Sequence, residues 1–216
     1  MKIARLVGLV FAAVLAVAAV SASAAMATAP EFSKTAKFTG AGLGANVLTA
    51  STTSISCTGE SNTGEITGVK KVGKVVVKFT TCTANSGACE AKSTGAKSGE
   101  IVTLTLKGEL GITTQSATGV GLLLEPETTK KFVHIEASCT SPTETEVSGT
   151  IAGEASPIKS SQTTGKLVFG VTSGAQNITA INILGTTVKP ELEAFGVKAT
   201  QATVNDVTYS AAVEVS

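Results

Sequence analysis

The chain has 216 residues, of which 43% are hydrophobic and 15% are charged. This length and hydrophobicity exclude a polar disordered chain, because they suffice to bury a substantial core. The single arginine is Arg5 and the formal net charge is +1, which excludes the basic, arginine-rich surface of a nucleic-acid-binding protein.

The N-terminal residues have the pattern of an export signal. Lys2 and Arg5 form a short cationic start, and residues 6–20 form an apolar run. Small residues follow, with Ala24 and Ala27 as the two favoured cleavage positions. The apolar run of about 15 residues is shorter than the roughly 20 that a membrane-spanning helix needs, so an uncleaved anchor is the less favoured alternative.

We therefore predict a signal peptide over residues 1–24, with cleavage as late as residue 27 as the alternative, and a single domain over residues 25–216. The mature protein is expected to be secreted or held in the cell envelope, with no membrane span. Loss of Lys2 and Arg5 leaves 15 basic residues (17 minus 2) against 16 acidic ones. A nearly neutral protein of this kind is expected to have no nucleic-acid partner, and a cell-wall polymer or a surface protein is the expected partner.

Alternation of apolar and polar residues recurs along the mature chain and predicts β-strands. Weak segments near Phe38 and Val47 precede a clear strand over residues 74–79. In the next segment Val102, Leu104 and Leu106 are expected to share an inward face. Similar segments follow at 110–112, 120–124, 133–135, 147–151, 167–171, 178–184, 192–197 and 207–215.

These segments predict an all-β protein, an antiparallel, jelly-roll-like β-sandwich of about ten to twelve strands, with a β-barrel as the alternative. Stretches rich in Gly, Ser and Thr at residues 40–44, 93–99 and 153–165 are expected to be connections. The last stretch is alternatively a linker between two sub-domains.

Four cysteines in an exported chain predict two structural disulfides. Cys57 and Cys139 share strand faces with apolar neighbours, which favours a bond between them in the core. Cys82 and Cys89 bracket the six residues TANSGA, as a bond across a hairpin loop would. The spacing of the cysteines matches no familiar zinc motif, so no metal site is predicted.

Few residues are available for catalysis. The chain contains one histidine, His134, and one aspartate, Asp206, so a Ser-His-Asp triad would need both. His134 is expected on the outer face of a strand, and Asn205-Asp206 is expected to form a turn.

Three pairs of glutamates have the two-residue spacing that places both carboxylates on one strand face, a spacing that resembles that of glycoside hydrolases. Because each pair lies near a proline at an expected strand end, solvated loop charges are the favoured interpretation. The pairs are Glu125 with Glu127, Glu144 with Glu146, and Glu191 with Glu193. We therefore predict that the protein is not an enzyme and uses no cofactor.

The segments TGEITGVKKVGKVVVKFTTC (residues 63–82) and SGEIVTLTLKGELG (residues 98–111), with a later strand ending in Cys139, resemble a group of exported Gly/Thr-rich bacterial β proteins of unassigned function. The resemblance covers about half of the mature chain and its motifs contain no catalytic residue. It implies a bacterial exported protein and no activity.

The expected function is that of a non-catalytic exported cell-envelope or extracellular protein with a structural or adhesive role. The alternative is a secreted binding module for a glycan or a protein partner. A glycan site built on exposed aromatic rings is disfavoured, because the chain has no tryptophan and one tyrosine. A hydrolase that uses the paired glutamates is the third hypothesis.

Overall fold

A computed structural model describes residues 29–116, 119–140 and 143–216, and the expected signal peptide lies outside this range. The described residues form eighteen β-strands and no helix. The strands are β1 (Lys37–Gly42), β2 (Asn46–Ala50), β3 (Thr53–Gly68), β4 (Lys71–Ala84), β5 (Cys89–Ser93), β6 (Ile101–Val102), β7 (Leu106–Thr113), β8 (Val120–Pro126), β9 (Lys131–Ala137), β10 (Thr143–Gly149), β11 (Ile151–Ser156), β12 (Gln162–Phe169), β13 (Val171–Thr172), β14 (Ala175–Gln176), β15 (Ile181–Ile183), β16 (Thr186–Val188), β17 (Leu192–Ala194) and β18 (Val197–Val213).

The strand pairings are antiparallel, and the predicted sandwich-like, all-β architecture is confirmed. The strands outnumber the ten to twelve expected, because bulges and short connections divide several of the alternating segments. The described part of the chain contains no helix with the length and apolar character that a membrane crossing requires.

Four long strand paths form a central sheet. Along one edge β3 pairs with β4, and along its other edge it pairs first with β2 and then with β1. β1 and β2 also pair with successive parts of β18. They therefore act as one strand that is interrupted at residues 43–45, and the central sheet has the order β4, β3, β1 with β2, and β18.

Two sets of four short strands connect β4 to β18. The first closing sheet, β7-β8-β11-β12, starts on residues 71–75 of β4 and ends on residues 203–213 of β18. The second closing sheet, β5-β9-β10-β17, starts on residues 83–84 of β4 and ends on residues 197–199 of β18. Each set closes a circuit of paired strands with the central sheet, and both circuits share β3, β4 and β18.

The inward faces of all three sheets share one buried cluster. Leu106 and Leu110 of the first closing sheet belong to the same apolar cluster as Ile135 and Val147 of the second. A smaller cluster outside it includes Ile181 of β15, a strand that pairs with β7. The main core is therefore continuous across both closing sheets.

The expected face of the segment around β6 and β7 was wrong. Val102, Leu104 and Leu106 do not share an inward face, because the chain leaves the sheet between β6 and β7 and Leu104 is 50% exposed. The register against β4 shifts by one residue there, since Val102 faces Lys78 whereas Leu106 faces Val75. Such a shift reverses the face that each side chain occupies.

Two stretches expected to be connections are largely strand. Gly40 to Gly42 belong to β1, and residues 153–165 form parts of β11, β12 and their hairpin turn. Asn205 and Asp206 were expected to form a turn, but they lie in the middle of β18. There Asn205 is buried and Asp206 is exposed, as alternation along a strand requires.

All four cysteines form disulfides, but the predicted pairing was wrong. Cys57 bonds to Cys82, and Cys89 bonds to Cys139. Cys57 and Cys82 are directly opposite in the pairing of β3 with β4. Cys89 and Cys139 lie opposite in a continuation of the register of β5 with β9, in which Ala91 faces Ala137. Strand register, which face alternation alone does not reveal, therefore selects the partners.

Replacing Cys57 and Cys82 together by alanine is expected to lower the free energy of unfolding by about 3 kcal/mol, because the bond closes a loop of 25 residues in the unfolded chain. Guanidinium denaturation under oxidising conditions measures the change, with the Cys89→Ala/Cys139→Ala variant as the companion. Peptide mapping of the unreduced wild type that links Cys57 to Cys139 would contradict the pairing.

Candidate functional site

The residues singled out for catalysis lie apart on the outer surface. His134 is half-buried on the outer face of β9, as predicted, and its Nε2 lies 3.6 Å from Oε2 of Glu144. Asp206 lies on β18, where its carboxylate is 3.6 Å from Nζ of Lys166 in the first closing sheet. The two residues of the hypothetical triad therefore have different partners on different sheets.

The paired glutamates are surface charges with separate partners. In the pair on β10, Glu144 contacts His134 and Glu146 forms an ion pair with Lys131. Glu125 lies 3.2 Å from Nζ of Lys107 on the neighbouring strand. Glu127, Glu191 and Glu193 are exposed. Within the described ranges, no three His, Cys, Asp or Glu side chains come together in a way that suits a metal ion.

A polar groove of about 340 Å³ crosses the outer face of β3, β4, β7 and β8. At the usual separation of paired strands, these four strands make a face roughly 14 Å wide. Its charged lining contains both signs, with three lysines and four glutamates: Lys71, Lys74, Lys107, Glu65, Glu109, Glu125 and Glu127. Mixed charges of this kind present both donors and acceptors to a polar partner.

Lys74 and Glu65 form an ion pair in the lining of this charged groove. Lys74 has a left-handed backbone conformation (φ 52°) at the bulge between Val72 and Val75. Its Nζ lies 2.8 Å from Oε1 of Glu65. The hydrogen bond and the charge of Glu65 raise the pKa of Lys74, so this lysine stays positively charged.

A second polar group lies inside the protein, where the two circuits meet. Glu60 and Asn62 on β3 and Thr203 and Asn205 on β18 point inward, and each has a relative exposure of 8% or less. Asn46, at the start of β2, is 2% exposed and completes what we name the central polar cluster. The interruption between β1 and β2 lies beside it.

Hydrogen bonds hold the central polar cluster together. Asn62 Nδ2 donates to Glu60 Oε1 at 3.2 Å, and Thr203 Oγ1 lies 2.9 Å from Glu60 Oε2. The side-chain nitrogen of Asn205, in the amide orientation that satisfies both residues, lies 2.6 Å from each carboxylate oxygen of Glu60. The Thr203 hydroxyl also donates to Oδ1 of Asn46.

Glycines in β1 make room for this cluster. A Cβ atom at Gly40 would lie 2.5 Å from Oδ1 and Nδ2 of Asn62, and one at Gly42 would lie 2.7 Å from Cβ of Glu60. These distances are shorter than any van der Waals contact. A larger residue at position 40 or 42 would therefore displace the polar side chains, and this explains glycine at both positions.

Glu60 has no cationic partner among the described residues, and burial raises its pKa above the ordinary value of 4.5. The hydroxyl of Thr203 lies within hydrogen-bonding distance of both Glu60 and Asn46, and Nδ2 of Asn46 donates to the carbonyls of Gly44 and Cys57. The hydrogen bonds that Glu60 receives from Asn62, Thr203 and Asn205 oppose the effect of burial on this pKa but do not cancel it.

Two apolar cavities adjoin the central polar cluster. One, of about 110 Å³, extends into the second circuit, and the other, of about 70 Å³, extends into the first. Both are lined by Glu60 and Asn205 and by Val77, Leu124 and Phe169. The polar cluster therefore forms the boundary between two apolar spaces.

Sequence reasoning missed the central polar cluster. The alternation that places Val207 and Tyr209 on an inward face, extended back by four residues, also places Thr203 and Asn205 there. The interpretation of Asn205-Asp206 as a turn prevented that extension. Polar residues at inward strand positions were the available signal for Glu60 and Asn62.

Comparisons with protein-family models, curated proteins and solved structures find no match for this chain.

Replacing Glu60 by glutamine is expected to alter the pH dependence of stability. Because the folded-state pKa of Glu60 is raised, its stabilising contribution is complete below pH 4.5 and is lost as the pH rises through the folded-state pKa. At pH 8 the E60Q variant is therefore expected to exceed the wild type by about 1 kcal/mol in unfolding free energy, and at pH 4 the advantage is expected to vanish.

Urea denaturation at a series of pH values measures this difference. E146Q is the matched control, because Glu146 is exposed and forms a surface ion pair, and its effect is expected to stay within about 0.5 kcal/mol. Parallel pH profiles for E60Q and the wild type would show that folding does not raise the pKa of Glu60.

Proposed function

We propose that this chain is a non-catalytic exported protein of the cell envelope or extracellular space, with a structural or adhesive role. The observation that carries the proposal is the double closure of the sheet, in which β3, β4 and β18 have partners on both edges. Open strand edges invite pairing with other chains, and closure protects against it.

The two disulfides support the proposed location. Such bonds persist in oxidising compartments outside the cytoplasm, because the reducing systems that would break them are absent there. A bacterial source is proposed on the resemblance described above. Its two segments form the β3–β4 hairpin and the part of the chain around β6 and β7.

For the adhesive role, we propose that the charged groove on β3, β4, β7 and β8 binds a cell-wall polymer. Carboxylates accept hydrogen bonds from hydroxyl and amide groups, and ammonium groups donate to their oxygens. The groove carries both kinds of group across four adjacent strands. A protein at the cell surface is the alternative partner.

Fractionation of the native cells tests the location. The mature protein is expected in the wall fraction. A high-salt wash should release it, because salt screens the attraction between charged groups of the protein and the wall. Recovery of the whole mature pool in the medium before any wash would overturn the envelope role.

A sedimentation assay with purified protein and isolated cell wall tests the groove. The K74E/K107E variant is expected to lose binding at least about tenfold, since it reverses two charges in the groove. K92E/K131E is the matched control, because it also reverses two ion-paired lysines but on the second closing sheet. Equal losses in both variants would contradict a specific role for the groove.

A further inference from the structure

The 110 Å³ cavity combines an apolar wall with one polar end. Its wall consists of side chains from the central sheet, the second closing sheet and their neighbours, including Leu48, Ile55, Phe132, Ile135, Val147 and Phe169. Its polar end is the central polar cluster, through Asn46, Glu60, Thr203 and Asn205. Such a combination is typical of sites for small organic ligands, in which a few polar groups fix the orientation.

The size of the cavity limits what it holds. An apolar cavity of about 150 Å³ in another protein stays dry and binds benzene. A space of about 110 Å³ is of the same order and suits a ligand with a single small ring or a short chain. Water is disfavoured over most of this space, because the wall offers it few hydrogen-bonding partners.

The polar end determines the chemistry of the ligand. A carboxyl, a hydroxyl and two primary amides supply both donors and acceptors within one buried cluster. Since no described cation pairs with Glu60, the site has no positive charge to bind an anion. A neutral hydroxyl group both donates and accepts, and it matches this set.

One side of the cavity lies close to the surface. The half-buried lining residues Val77, Phe79 and Thr103 lie on β4 and in the connection from β6 to β7, where the chain leaves the regular sheet. Three hydrogen bonds fasten this connection: Thr103 N to Val77 O at 2.9 Å, Val77 N to Thr103 Oγ1 at 3.0 Å, and Leu104 N to Phe132 O at 2.7 Å. Residues 103–105 of this connection lie outside the paired strands.

We propose that the cavity beside Glu60 binds a small uncharged alcohol or phenol, with the apolar part of the ligand against the second closing sheet and its hydroxyl group at Thr203, Asn205 and Glu60. This site goes beyond the proposed envelope role, and its ligand is separate from the polymer at the outer groove. Binding to the folded state alone raises the melting temperature by mass action.

Phenol and toluene are the probes, because they have nearly the same size and differ by one hydroxyl group. Titration of the purified full-length mature protein, followed by calorimetry and by thermal melting, is expected to show saturable binding of one phenol. Phenol is expected to bind about three- to tenfold more tightly than toluene, the factor that one net hydrogen bond supplies.

Two variants separate the apolar wall from the polar end. V147F fills the cavity from β10 and is expected to abolish binding of both probes, whereas V197F adds the same ring at a position 43% exposed and is expected to bind like the wild type. T203V keeps the side-chain shape without the hydroxyl and is expected to remove the preference for phenol.

A crystal structure of the wild type with phenol keeps the test independent of whether V147F folds. Density for phenol between Val147 and Thr203 supports the proposal. Absence of saturable phenol binding, equal affinity for phenol and toluene, or binding to folded V147F would each overturn it. These outcomes do not depend on where the protein resides in the cell.

Discussion

The pairing of β3, β4 and β18 along both of their edges is the constraint on which the rest of the structure depends. Each of these strands is long enough to take part in both circuits, so both closing sheets pair with the same central sheet. β1 and β2 complete the central sheet only because residues 43–45 interrupt their register between β3 and β18. The continuous core and the Cys57–Cys82 disulfide follow from this arrangement.

The middle of the central sheet is also where an apolar core would be the simplest solution, yet Glu60 and its polar neighbours are located there. Burying a carboxyl without a cation is unfavourable unless hydrogen bonds or protonation compensate. Here the amides of Asn62 and Asn205 and the hydroxyl of Thr203 supply the hydrogen bonds. Glycines at positions 40 and 42 supply the space, and adjoining cavities remain on both sides. A polar group retained at this cost marks the interior as a candidate binding site.

The sequence was sufficient for the fold class, because face alternation is a local property of each strand. It was insufficient wherever the answer depends on register between strands. The partner of Cys57, the exposure of Leu104 and the burial of Asn205 each follow from which residues lie opposite one another. The outer position of His134 does not depend on the register between strands, and it was predicted correctly. To predict the central polar cluster, one must know that β3 and β18, which are distant in sequence, lie close together. To predict its cavities, one must know the arrangement of all three sheets.

Native-state hydrogen exchange on the wild-type protein tests most directly whether the central sheet makes the two circuits unfold as one cooperative unit. The account predicts that the amides of β3, β4 and β18 exchange most slowly and with a common opening free energy equal to that of global unfolding. Both closing sheets would then become unprotected in the same event or earlier. If the two halves of β18, which pair with different closing sheets, opened independently with different free energies, the central claim would be contradicted.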